Sequence, residues 1–87
     1  MNVKARDRDL LSRTLGDVVL LLDLRTSGFV RLNGTASLLW GYLHESTSAP
    51  ELVARLAAHF DVAEEAVSAD VDAFLHDLAE QGLLDDA

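Results

Sequence analysis

Between Arg31 and Trp40 the chain changes its period, and that change limits what it can fold into. Phe29-Val30-Arg31-Leu32 alternates as a strand does, with Val30 and Leu32 on one face and Phe29 and Arg31 on the other. From Ala36 the apolar residues fall at Ala36, Leu39, Trp40 and Leu43, the spacing of one helical face. Asn33 stands at the junction, and its side-chain oxygen suits the N-cap of the following helix. A sheet must therefore give way to helices here, with Trp40 as the largest apolar side chain available to join them.

Upstream of the junction, Val18-Val19-Leu20-Leu21-Leu22 is an apolar run bounded by Asp17 and Asp23, short enough for a strand. Its two apolar faces predict a central strand covered on both sides. Gly16-Asp17 marks a turn before it. Arg25-Thr26-Ser27-Gly28 marks the hairpin after it, with Gly28 expected to supply positive φ. Residues 1–9 alternate charge and read as frayed, though Val3 and Ala5 suit a short edge strand.

Downstream the pattern is helical throughout. The first helix is expected over about Gly34–His44. Ser48-Ala49-Pro50-Glu51 joins a capping box to a first-turn proline and starts a second helix that runs to about Phe60. Asp61-Val62-Ala63-Glu64 looks like another such start. A third helix is expected from about Ala63 to Gln81, with Val67, Val71, Phe74, Leu75 and Leu78 as its stripe and Gly82 ending it. Leu83 and Leu84 are expected to tuck back, and Asp85-Asp86-Ala87 to form a loose tail. The fold class is α+β, an antiparallel sheet followed by three helices in one domain, residues 1–87.

Composition narrows the function. None of the 87 residues is cysteine, which removes a disulfide framework, a thiolate metal site and a Cys nucleophile, and fits a reducing cytoplasm. No apolar run is long enough for a membrane span, and the first residues lack the apolar core of a signal peptide. The net charge of −8 is uneven. Residues 1–31 hold six basic and four acidic residues, a balance of +2, whereas residues 32–87 hold Arg55 and eleven acids, a balance of −10. Such helices repel a phosphate backbone. His44, His59 and His76 share no metal-ligand spacing, and Asp70, Asp72, Asp77 and Glu80 read as a solvated rim. Nucleophile elbows and phosphate-binding glycine loops are missing too. The residues describe a small acidic binding module with no catalytic, metal or cofactor site.

Val18–Leu22, then Gly28-Phe29-Val30-Arg31-Leu32-Asn33, then Thr35-Ala36-x-x-Leu39-Trp40 resembles the PqqD family. The second half agrees in Glu51-Leu52, Leu56, Phe60-Asp61-Val62 and Asp70-Val71-x-x-Phe74-Leu75-x-x-Leu78-x-x-x-Gly82-Leu83-Leu84. The likeness runs over about residues 15–84. Its members are recognition elements for precursor peptides that are ribosomally made and then modified. The resemblance implies a winged helix-turn-helix of three antiparallel strands and three helices. It also implies that a leader peptide adds as a strand to the edge of the third strand, in a groove closed by the third helix. The chain would then deliver the precursor to a separate maturation enzyme. A free-standing acidic domain looks most like those of lasso-peptide pathways, where the enzyme is a leader peptidase. Mapped onto that mode, the groove is lined by Phe29, Val30, Arg31 and Leu32 from the strand and Val67, Val71 and Phe74 from the helix. Asp70 and Asp77 are its acidic rim. Val71 and Phe74 fit the core equally well. Of the two margins of the helical stripe, the Asp70–Phe74–Asp77 margin is assigned to the groove because it pairs an aromatic with two carboxylates. A DNA-binding winged-helix regulator is the alternative. It needs a basic recognition helix, and the second helix has only Arg55 while the third has no basic residue but His76.

Overall fold

A computed structural model describes residues 2–86. The strands are β1 (Val3–Ala5), β2 (Leu10–Leu15), β3 (Val18–Asp23) and β4 (Gly28–Asn33). Helices α1 (Thr35–Tyr42), α2 (Ala49–Phe60) and α3 (Ser68–Glu80) follow, then β5 (Leu84–Asp86). A short 3-10 turn, Glu64–Ala66, precedes α3. Strands β2, β3 and β4 form an antiparallel sheet with β3 in the middle, and the three helices follow it, as expected for the winged α+β class. The core lies between them: Val19, Leu21 and Leu32 from the sheet meet Leu39 and Trp40 of α1 with Leu43 just after it, Leu52 and Leu56 of α2, and Val71, Phe74 and Leu78 of α3.

β2 has an inverted pattern. Its register with β3 puts Leu11, Arg13 and Leu15 beside Leu22, Leu20 and Val18, on the face away from the helices. Leu10, Ser12 and Thr14 therefore face the helices, so period 2 points two hydroxyls inward and two leucines outward. Alternation alone does not reveal such a strand. β3 is central, but only one of its faces is covered. Val19, Leu21 and Asp23 are buried, while Val18, Leu20 and Leu22 are half-buried, so the expectation of cover on both sides fails.

Several local signals resolve differently from their sequence reading. Asn33 ends β4 instead of capping α1. The N-cap is Gly34, at φ 54° and ψ −125°, a conformation an L-residue rarely adopts, and no side chain caps the helix. α1 is also shorter than expected and stops at Tyr42. In the β3–β4 hairpin, Ser27 carries the positive φ of 61° that was expected of Gly28. Gly28 donates its N–H to Thr26 Oγ1 at 3.0 Å, and a Cβ there would sit 2.9 Å from that oxygen. Asp61 closes α2 in the left-handed region instead of starting the next helix, so α3 begins at Ser68 and not near Ala63. Ser48 performs as read: its Oγ accepts from the Glu51 N–H at 3.4 Å, with Pro50 in the first turn. Gly82 has φ 71°, and the Leu83 N–H reaches back to the Leu78 carbonyl at 2.9 Å, the six-to-one bond of a Schellman end.

The termini are structured: β1 forms at Val3–Ala5, the short edge strand those residues suited, where the start otherwise read as frayed. β1 pairs antiparallel with β5, Lys4 opposite Asp85, so Asp85 and Asp86 are not a loose tail; Ala87 lies outside the described residues. Arg6 is 3% exposed. It donates to the carbonyls of Arg8 (3.0 Å), Gly82 (2.8 Å) and Asp9 (3.3 Å), and to Asp23 Oδ1 at 2.7 Å. One guanidinium thus ties the start of the chain to its end and to the sheet.

Thr47 exchanges backbone bonds with Val3 at 2.7 and 2.9 Å, yet its buried Oγ1 has no partner among the described residues. An orphaned buried hydroxyl costs about 1–3 kcal/mol. Thr47→Val keeps the shape and removes the orphan, and is expected to raise Tm by several degrees in a thermal melt.

Candidate functional site

The backbone parity of the sheet identifies what each edge offers. The Leu24 N–H bonds to the Asp9 carbonyl at 2.8 Å, and Gly16-Asp17 is a two-residue turn. In an antiparallel ladder bonded and non-bonded pairs alternate, so Leu11, Arg13 and Leu15 direct their backbone groups at β3, which answers from Leu22, Leu20 and Val18. Asp23, Leu21 and Val19 then serve β4 through Gly28, Val30 and Leu32. The N–H and C=O groups of Phe29, Arg31 and Asn33 point away from the sheet, and none of them has a backbone partner elsewhere among the described residues. β4 is therefore an open edge.

The end of α3 lies beside this edge. A cavity of about 200 Å³ is bounded by Gly28, Phe29 and Val30 on β4 and by Gln81 and Leu83 after α3, with Asp23 and Thr26 at its end. With Val71 at the centre of the helix stripe, steps of 100° place Phe74, Asp70, Asp77 and Gln81 on one margin and Leu75, Asp72 and Ala79 on the other. Gln81, which follows α3 on the first margin, lines the cavity. Asp70 and Asp77 are exposed on that margin. At the cavity's end Asp23 Oδ1 is held by Arg6, by the Arg25 N–H at 3.0 Å and by Arg25 Nε at 3.6 Å, so this carboxylate is committed within the fold.

The residues singled out from sequence separate into groups. Val30 is half-buried and packs on the core from the edge strand, and Leu32 is buried beside it. Phe29, 64% exposed, and Arg31 project onto the outer face. Val67, Val71 and Phe74 are core residues, Val71 fully buried, and Val67 precedes α3 instead of lying within it. Gln81, Leu83 and Thr26 were not picked out from sequence. Gln81 was within reach of that reading, standing one turn past Asp77 on the same margin.

The outer face of the sheet is uncovered. Leu11, Leu22 and Phe29 form one row across it and Arg13, Leu20 and Arg31 the next. A cavity of about 410 Å³ opens over Leu11, Leu20, Leu22 and Phe29. No cluster of three or more metal-ligating side chains occurs among the described residues, and no helix there is long and apolar enough to cross a membrane.

Comparison with known proteins finds the family described as coenzyme PQQ synthesis protein D (PqqD) over residues 19–84. The chain is also similar to a solved structure, TbiB1 in complex with the TbiA(beta) leader peptide. The identity is 30%, with 94% of each chain covered and a TM-score of 0.83. A second, lasso peptide synthetase B1 complexed with the leader peptide, has 23% identity over 94% of this chain and 95% of that one, with a TM-score of 0.79, and shares the fold. No curated protein matches.

Proposed function

Since the chain belongs to the PqqD family, we propose that it binds the leader region of a ribosomally made precursor peptide as a fourth strand on β4 and presents it to a separate maturation enzyme. The observation that carries this reading is the open β4 edge beside α3. Phe29, Arg31 and Asn33 offer six backbone groups to an added strand. At roughly 0.5–1.5 kcal/mol net each, less the cost of ordering the peptide, they fall short of the ~8 kcal/mol of a micromolar complex. Side-chain contacts supply the remainder: the cavity between Val30 and Gln81 for an apolar anchor, and Asp70 and Asp77 for donors on the peptide. The 30%-identical TbiB1, solved with a leader peptide, supports the same mode.

The added strand would widen the outer face, because alternate peptide side chains join Phe29 and Leu22 there. That composite apolar surface, absent until the leader is bound, suits docking of the maturation enzyme, which we place on it. A leader peptidase of a lasso-peptide pathway is the enzyme class this fits. The role is binding and delivery without chemistry. The DNA-binding reading has little support, since Arg55, the one lysine or arginine in the helical half, stacks 4.0 Å over the Tyr42 ring.

Calorimetric titration with the leader peptide of the neighbouring precursor gene tests the proposal. Binding tighter than about 100 µM is expected, with the peptide left uncleaved. Asp70→Ala and Asp77→Ala are each expected to weaken it by about 1–3 kcal/mol at nearly constant Tm, and Asp72→Ala to leave it unchanged. A leader that does not bind, or that this chain alone cleaves, rules the function out.

A further inference from the structure

We propose that the outer face of the sheet takes an amphipathic helix with carboxylates on both flanks of its apolar stripe, and that Arg13 and Arg31 grip those carboxylates. The identity of the occupant rests on the delivery role above: the helix belongs to the maturation enzyme. An apolar sheet face is stable when another layer covers it. The helices cover one face here. The other leaves Leu11 and Phe29 more than half exposed, around a cavity of about 410 Å³ that Leu20 and Leu22 of the central strand also line. The size of this face suits a helix. β2 and β4 flank β3, two strand spacings or about 10 Å apart. A helix with its side chains is about 10–12 Å across. Strands of six residues run about 20 Å, the length of roughly 13 residues of helix. Laid along β3, such a helix covers Leu20 and Leu22 and has β2 on one flank and β4 on the other.

Charge selects which helix. Arg13, Leu20 and Arg31 form one row, so a guanidinium stands on each side of the strip to be covered. Both arginines are exposed. Lys4, Arg6, Arg8 and Arg25 are each paired with a carboxylate of the chain, whereas Arg13 and Arg31 have no ion-pair partner among the described residues. None of the residues that β2, β3 and β4 turn outward is acidic. A chain of net charge −8 thus holds two unpaired positive charges on its one bare apolar sheet face, complementary to carboxylates. A helix presents carboxylates to both sides at nearly one height from the e and g positions that flank its stripe.

Other occupants fit less well. A second copy would have to offer a helix with a free apolar stripe, and the stripes of α2 and α3 are buried in the core. An anionic membrane meets repulsion from the helical half, whose balance is −10.

The probes are two capped, stapled helices of about 13 residues, each with a leucine stripe, one flanked by Glu and the other by Lys. Titrated into the isotope-labelled chain, the Glu-flanked helix is expected to move the methyl signals of Leu11, Leu20 and Leu22 saturably. It is expected to bind roughly tenfold more tightly than the Lys-flanked helix. In the double variant Arg13→Glu/Arg31→Glu the preference is expected to invert. If that variant does not fold, Arg13→Gln and Arg31→Gln take its place, each expected to narrow the preference. Leader binding is titrated separately and reads the β4 edge. A leader that binds while the Glu-flanked helix does not overturns this proposal alone, and a helix that binds where the leader does not upholds the docking face without the delivery role. Methyl signals unmoved at millimolar probe, equal affinity for both probes, or a Glu preference that survives loss of both arginines would overturn the proposal. So would sedimentation with phosphatidylserine vesicles that the double variant loses, which would make the occupant a membrane. A dimer in light scattering that the double variant disrupts would overturn it in favour of a second copy.

Discussion

Replacing Arg6 with methionine is expected to lower the thermal midpoint by about 12 °C or more, the largest stability loss expected of any single substitution. Arg6 and Asp23 are 3% and 5% exposed and 2.7 Å apart. Breaking a buried pair costs about 3–5 kcal/mol, and here Asp23 would keep only the Arg25 N–H at 3.0 Å and the half-exposed Arg25 guanidinium at 3.6 Å, which puts the loss at the low end of that range. In a domain of this size each kcal/mol shifts Tm by roughly 4–8 °C. The loss also frees the Arg8 and Asp9 carbonyls and leaves the Gly82 carbonyl with Arg25 Nη2 alone at 3.2 Å, so β1 and the end of α3 loosen together. The double variant Arg6→Met/Asp23→Leu is expected to recover much of the loss, because no unpaired charge remains. Circular-dichroism melts of the two single variants and the double decide this. A drop below about 1 kcal/mol for Arg6→Met would mean that the pair is solvated and not structural.

The largest effect on binding is expected from Arg31→Pro. Arg31 directs its N–H at the free edge of β4, and proline has no N–H to give. Its ring also occupies the space where the incoming strand must lie. Leader affinity is expected to fall at least tenfold, about 1.4 kcal/mol or more, while the melt changes little because an edge strand tolerates proline on its open side. Arg31→Ala separates the side-chain share from the backbone share. Val30→Pro is the contrasting case: Val30 bonds to Leu21 of β3, so proline there breaks the ladder and is expected to destabilise the fold itself. Equal leader affinity in Arg31→Pro and the natural chain would show that the peptide does not add to β4.

For the candidate site, sequence placed a strand at Phe29–Leu32 but not the division of labour along it. Period 2 separated Val30 and Leu32 from Phe29 and Arg31, and the structure keeps that separation. Which pair carries the free backbone groups depends on hydrogen-bond parity, which is counted from turns in the paired strands. The third helix shows the same limit. Its periodicity identified Val71, Phe74 and Leu78 as one stripe, but a stripe does not state how deep it is buried. Packing against α2 and the sheet puts Val71 and Phe74 in the core, and Gln81, past the end of α3, reaches the cavity beside β4.

What sequence determined alone were the features set within a few residues: the strand over Val18–Leu22, the Ser48 cap and Pro50 start of α2, the Gly82 stop of α3, and the acidic helices. Each follows from local sterics, local hydrogen bonding or charge, which need no distant partner. The resemblance to a known family added the winged arrangement. Tertiary structure decided the rest. β2 hid because its leucines face outward and its hydroxyls face a cleft, the reverse of the usual sign. Arg6 resembled a frayed surface charge because its four acceptors lie as far away as Gly82. Asn33 and Asp61 carried good capping chemistry, yet the chain path spent Asn33 on the edge of β4 and Asp61 on closing α2. Burial and pairing are properties of chain segments that meet from afar, and no window of neighbouring residues contains them.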